Sequence, residues 1–228
     1  MFSILGSFLA IEYKALIRKP SKIIYPGIFY LIILAILPFT ISNEILANKY
    51  IVVAFLTISI LFAIHVNYSG MFEEDIKDGF LEQLIMTGLA LPFFIFSKIL
   101  FNTILVFSSI IITFPLLILF FNFSTEIFFY FAFLSFALSF SLITIVTFSS
   151  ALTTGIKNGL VITLIISFPL SLSLLIDFCL ICNELVILCY IKEKTWLVGI
   201  MLGKILFITP LVVYLSKISL ADAVNNFK

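Results

Sequence analysis

The sequence predicts an all-α, polytopic membrane protein: one domain over residues 1–228, with six transmembrane helices, an N-terminal helix on the inner membrane face and a helical cytoplasmic loop. Three observations predict it. First, 63% of the 228 residues are hydrophobic and 11% charged, with a mean hydropathy of +1.29. A soluble domain runs nearer half apolar and a quarter charged, so a water-soluble enzyme is excluded. Second, the apolar residues fall into six runs, each close to the roughly 20 residues needed to cross a hydrocarbon core. Third, no segment alternates as a membrane barrel strand does, and no open strand is possible at membrane depth, where backbone groups must pair internally. The net charge of +1 points to no nucleic-acid partner.

The elements follow in order. Residues 1–22 carry no basic side chain before their first apolar stretch, which a cleaved signal would need, so this segment is expected to be retained. Phe2, Leu5, Leu9, Tyr13 and Leu16 recur at helical spacing with Lys14 and Arg18 among the polar positions, predicting a helix lying against inner-leaflet lipid. The six spans are residues 23–41, 50–71, 99–121, 127–148, 160–182 and 195–216. The apolar stretch 185–191 is too short to cross and either extends the fifth span or lies in the interface. With a cytoplasmic N-terminus, nine Lys and Arg residues lie inside (Lys14, Arg18, Lys19, Lys22, Lys77, Lys98, Lys157, Lys217, Lys228) and three outside (Lys49, Lys192, Lys194). That bias places both termini in the cytoplasm.

The longest polar insert is residues 72–91, on the cytoplasmic side. Phe72, Ile76, Phe80 and Leu84 recur every four residues, an apolar stripe if the segment is helical. Asp78-Gly79 interrupts it: Gly79 permits a turn, and Asp78 can cap a following helix by accepting its free N–H groups. Two short surface helices joined at Asp78-Gly79 are predicted. Five acids, Glu73, Glu74, Asp75, Asp78 and Glu82, face only Lys77 and Lys98. An acidic cytoplasmic loop opposes positive-inside sorting, and a partner surface is one explanation; charge runs are usually just solvated, but the turn chemistry and the apolar stripe favour a docking helix.

The pattern Phe72-x-x-Asp75-x-x-Asp78-Gly79-x-Leu81-Glu82-Gln83-Leu84, followed by Leu89-x-Leu91-Pro92 and Lys98, resembles the loop between the second and third spans of ABC-type exporter permeases. In detail it is most similar to the haem exporter protein B family of the cytochrome c maturation system. The turn Gly155-Ile156-Lys157-Asn158-Gly159, Leu37-Pro38-Phe39 with Glu44, and Phe168-Pro169-Leu170 add to the likeness. Ser69-Gly70 and Ser173 depart from it, where relatives often carry a charged pair and a second proline.

The resemblance implies a bacterial or bacterially derived inner membrane and a cytoplasmic ABC ATPase subunit as partner. It further implies a second copy of this chain and haem-handling membrane proteins alongside, with haem as a substrate of the complex rather than a resident cofactor. The loop would be a coupling helix, with Phe72 and Phe80 as apolar anchors, Asp75, Asp78, Glu82 and Gln83 as polar contacts and Gly79 as the turn. No Gly-x-x-x-x-Gly-Lys-Ser/Thr loop is present in the sequence, so ATP hydrolysis is assigned to the partner and no enzymatic activity to this chain. The work implied is haem export, or ATP-driven release of a haem-loaded chaperone, for c-type cytochrome biogenesis. The alternative is an ABC exporter permease for a lipid, drug or other amphipathic substrate, since the loop's core is shared across the superfamily.

Ionisable side chains within spans are functional candidates by default. His65 is a conceivable haem ligand, but no second axial candidate is evident, and a neutral imidazole bonded to a neighbouring helix is the preferred reading. Asp177 lies roughly 25 Å along the fifth span and Lys204 roughly 12 Å into the sixth, close enough in depth to pair. Cys179-x-x-Cys182 sits in an apolar helix end without the setting of a redox motif and reads as packing. No metal site is expected.

Overall fold

The computed structural model describes residues 2–18, 21–40, 49–86, 91–121, 127–188 and 195–226, and everything described is helix or helix-joining turn. In chain order the helices are α1 (Phe2–Arg18), α2 (Ser21–Thr40), α3 (Lys49–Tyr68), α4 (Glu73–Lys77), α5 (Phe80–Met86), α6 (Leu91–Phe121), α7 (Ile127–Thr153), α8 (Gly159–Leu188) and α9 (Thr195–Asn226). Five stretches of the described residues are long and apolar enough to cross a membrane, in α3, α6, α7, α8 and α9. The first predicted span lies on α2, where residues 24–33 form a shorter apolar helix among the described residues. The segments carrying Glu44, Leu89, Cys189, Lys192 and Lys194 lie outside the described residues.

Two boundaries differ from the sequence reading. The third span begins at Leu91, not eight residues later, because Pro92 sits in the first helical turn, where its missing N–H removes no hydrogen bond. Lys98 is therefore two turns inside a helix and not in a loop. The fifth span runs on to Leu188, so residues 185–188 extend it. Pro169 and Pro210 lie within α8 and α9 without ending either helix, as neighbouring helices and hydroxyls allow in membrane proteins.

Helix α7 is the hub. It packs against α3, α6, α8 and α9, and 72% of its spanning window is buried, against 17% for α9 at the periphery. Small residues allow this approach: Ser135, Ala137, Ser139, Ser149 and Ala151 are all buried. Buried hydroxyls return to their own helix, as Thr57, Thr144 and Thr147 do to the carbonyls of Val53, Phe140 and Ile143. Hydroxyls also make contacts between helices. Thr153 and Thr163 join α7 to α8, and Ser219 donates to the Ala151 carbonyl from α9.

The α7–α8 turn shows how local geometry selects residues. Gly155 (φ 85°) and Asn158 (φ 64°) occupy the left-handed region, which glycine and asparagine tolerate best. At Gly159 a Cβ would stand 2.5 Å from the Thr153 carbonyl oxygen, a backbone atom that cannot swing away. Gly159→Ala is accordingly expected to lower stability by about 1–3 kcal/mol. Gly203→Ala, with open space around its Cβ, is expected to be neutral or stabilising by up to about 1 kcal/mol. Thermal unfolding in mild detergent checks both, and a Gly159→Ala protein melting with the wild type would show that the close approach is not there.

Candidate functional site

The cytoplasmic loop is two short helices, as its turn chemistry predicts, but its cap differs. Asp78 ends α4, its backbone N–H donating to the Glu74 carbonyl. Gly79, at φ 68°, then reverses the chain, and its carbonyl accepts from the Gln83 N–H at the start of α5. The residue preceding α5 is thus Gly79, and Asp78 is the last cap of the helix before it. Gly70 brings the loop's first turn close against α8: a Cβ there would lie 2.5 Å from the Leu160 side chain.

The apolar stripe turns inward. Phe72 has no exposed surface, Leu81 and Leu84 are buried, and Ile76 and Phe80 pack against the core. The Phe80 ring meets Phe94 of α6 edge-on at 5.3 Å. Within the chain, then, Phe72 and Phe80 hold the loop to its own spans, Phe72 wholly buried and Phe80 half-buried against Phe94, with α5 packed on α9. What the loop leaves outward is polar, with Glu74, Lys77, Asp78 and Gln83 exposed and Glu82 half-buried, beside the exposed Met86.

Asp75 also points inward. Its Oδ2 lies 2.6 Å from the Lys98 Nζ, with 20% of its side chain exposed against 5% for Lys98. The same ammonium donates to the Met71 carbonyl at 3.2 Å and faces Glu12 Oε1 of α1 at 3.4 Å. An ammonium has three donors, and here three acceptors meet it from α1, the loop's entry and α4. Phe72 and Phe94 flank it at 5.5 and 5.3 Å from their ring centroids, within cation–π range. Within the chain, Asp75 thus pairs with Lys98 of α6.

Glu12 was missed in the sequence, although a signal exists. The buried side of α1 carries Phe8, Leu16 and the half-buried Leu5 and Leu9, and Glu12 falls on that same face. Tyr13, another residue of the spacing pattern, is exposed. Phe8 meets the Phe94 ring edge-on at 5.7 Å, seating α1 on α6.

The structure brings the loop and the α7–α8 turn together. An open cleft of about 770 Å³ lies between them, lined on one side by Glu73, Ile76 and Glu82 and on the other by Gly155, Lys157 and Gly159. Lys157 is exposed at its rim. The intramembrane residues do not join this cleft. Lys204 bonds Asp177 at 2.5 Å and the Ser173 hydroxyl at 2.8 Å, the pairing expected from their depths. His65 is fully buried and bonds through Nδ1 to the Leu61 carbonyl of its own helix, with its ring 4.7 Å from that of Phe168 on the neighbouring α8. Cys179 donates to the Thr57 hydroxyl, and Cys182 is buried; both are free thiols.

Comparison with known proteins gives two findings. A family model described as CcmB protein matches residues 3–223. A relative named heme exporter protein B, from Pseudomonas aeruginosa, is 25% identical over 100 residues, which is 44% of this chain. The matched stretch spans 45% of that relative's length, less than half of it.

Breaking a buried ion pair on one side costs about 3–5 kcal/mol, because the other charge is left unmet. Lys98→Met is expected to cost that much, and Asp75→Asn in the same chain to return at least about 1 kcal/mol of it. Denaturant-titrated unfolding in mixed micelles measures the cycle; additive losses would show that the two do not interact. Asp177→Asn and Lys204→Met should also be less than additive, by a smaller margin, since 31% of the Lys204 side chain is exposed.

Proposed function

The chain belongs to the CcmB protein family, and from that premise we propose that it is the transmembrane permease subunit of an ABC complex. Its work is haem export, or ATP-driven release of a haem-loaded chaperone, in c-type cytochrome biogenesis. The name of the Pseudomonas aeruginosa relative supports the haem substrate. The setting is the inner membrane, with six spans, both termini cytoplasmic, and α1 lying on the inner face with Lys14 and Arg18 toward lipid. Partners are a cytoplasmic ABC ATPase subunit, a second copy of this chain and haem-handling membrane proteins.

One observation carries this reading: a short two-helix loop with an outward polar face, held against the spans by a buried ion cluster. A part that receives force must be stiff and must project a surface that a partner can grip. The inward stripe of Phe72, Leu81 and Leu84 makes it stiff. Asp78, Gln83 and Glu82, with Lys157 across the cleft, offer the grip. The ATPase closing on nucleotide displaces α4 and α5, and the displacement enters α3 and α6, the two helices that the loop joins. His65 and the Asp177–Lys204 pair are kept as structural elements of the spans in this scheme.

The test is purification of tagged chain in gentle detergent, with partners identified by mass spectrometry. An ATPase together with haem-handling proteins supports the full reading; an ATPase alone moves the substrate to a lipid or drug. Asp78→Lys combined with Glu82→Lys is expected to reduce recovered ATPase at least about tenfold, the equivalent of roughly 1.4 kcal/mol in binding. Undiminished recovery would remove the loop from the contact.

A further inference from the structure

Helix α1 precedes the first predicted span and is far in sequence from the loop, yet Glu12 and Asp75 share one ammonium on α6. We propose that Glu12 and Lys98 are positioning residues that bind α1, the loop and the cytoplasmic end of α6 into one rigid lever. The inference rests on the coupling role proposed above and says which parts move when the loop is pushed.

The geometry distinguishes two kinds of boundary around the loop. Toward α1 and α6 the contacts are directional: Lys98 to Asp75 at 2.6 Å, to the Met71 carbonyl at 3.2 Å and to Glu12 at 3.4 Å, with Phe94 between Phe8 of α1 and Phe80 of α5, and they bridge the head of an open cavity of about 420 Å³ that Glu12, Met71, Glu73 and Lys98 help to line. Drawing α4 off α6 would part Asp75 from an ammonium only 5% exposed, and drawing α1 off would part Glu12 from the same ammonium; parting a buried ion pair resists motion more than losing an apolar contact does. On the other side Gly70 lies close against Leu160 of α8 and α5 packs on α9, while between α5 and the α7–α8 turn lies the open cleft, with Glu82 and Lys157 in its lining. Displacement is therefore taken up at the cleft, and α1 travels with the loop. Packed parts with discrete arrangements move as bodies in this way.

Glu12 makes the link specific. It is the carboxylate that α1 presents on its buried face, with 12% of its side chain exposed. Lys14 and Arg18, the other charged residues of α1, are exposed and carry the same sign as Lys98, so neither can replace it. Glu12→Gln keeps the shape of the side chain and removes the charge, so it loosens α1 while leaving the Asp75–Lys98 pair.

The experiment uses the full chain with its ATPase in lipid nanodiscs, native cysteines replaced by alanine, and spin labels at exposed positions. One pair, Ala10→Cys with Met86→Cys, reports α1 against the loop. A second, Met86→Cys with Ile156→Cys, reports the cleft; Met86 and Ile156 are exposed and lie outside the proposed contact set. Between the nucleotide-free and ATP-trapped states, the 86–156 distance is expected to change by several ångströms and the 10–86 distance to stay within label width. With Glu12→Gln, the 10–86 distribution is expected to broaden and shift with nucleotide. If the 10–86 distance changes as much as 86–156 in the labelled chain with Glu12 intact, the lever is wrong while coupling through the loop stands. A 10–86 distance indifferent to Glu12→Gln would equally overturn the role of Glu12. If neither distance responds while the bound ATPase turns over, the coupling reading fails and takes the lever with it. Should Glu12→Gln not fold, the two distances in the unaltered chain still decide.

Discussion

A lysine ammonium inside a helical bundle must be neutralised and have its three donors met, and the cytoplasmic end of this protein is organised around satisfying Lys98. Asp75 supplies the charge at 2.6 Å, Met71 a carbonyl and Glu12 a second carboxylate. Each acceptor comes from a different part of the chain, so meeting one requirement fixes α1, the loop's first turn and α4 against α6. Two phenylalanine rings flank the ammonium within cation–π range. The apolar stripe of the loop then has one face on which to pack. Without Lys98, Phe72 and Phe80 could still collapse inward, but nothing directional would set the register of α4.

This arrangement changes what the loop's conspicuous residues mean. Phenylalanines and acids in a cytoplasmic insert suggest hydrophobic anchors and charged contacts for a partner. Phe72 and Asp75 instead serve the protein's own interior, and the surface left for a partner is the narrower set around Asp78, Glu82 and Gln83. Gly79 and Gly155, both in the left-handed region, terminate helices on either side of one cleft. The loop and the α7–α8 turn, distant in the chain, are thus two walls of one feature.

Much of this was legible in the sequence, for identifiable reasons. Long apolar runs can only be helices at membrane depth, and Asp78-Gly79 marks a break because glycine alone turns there without strain. The Asp177–Lys204 contact followed from helical rise and the penalty on unpaired charge. What could not be read was direction. A stripe at every fourth residue shows that one face is apolar, not whether it meets a partner or the chain itself. The inward turn of Asp75 depended on placing Lys98 within a helix, which Pro92 signalled and the apolar run after Lys98 disguised. Glu12 was hidden because α1 was assigned to lipid by its Lys and Arg, when the lone acid on its apolar side was the informative residue. The turn to Gly159 was recognisable as a pattern, but its steric reason, the Thr153 carbonyl, exists only once α7 and α8 are in place.

The central claim is that force from a nucleotide-driven partner enters through the outward face of the two-helix loop. A photo-crosslinking amino acid placed at Gln83, activated in native membranes, tests it most directly, with the exposed membrane position Phe207 as control. The account predicts an adduct between this chain and a nucleotide-hydrolysing subunit from position 83 and none from 207. No such adduct from 83, or equal capture from both positions, would contradict it.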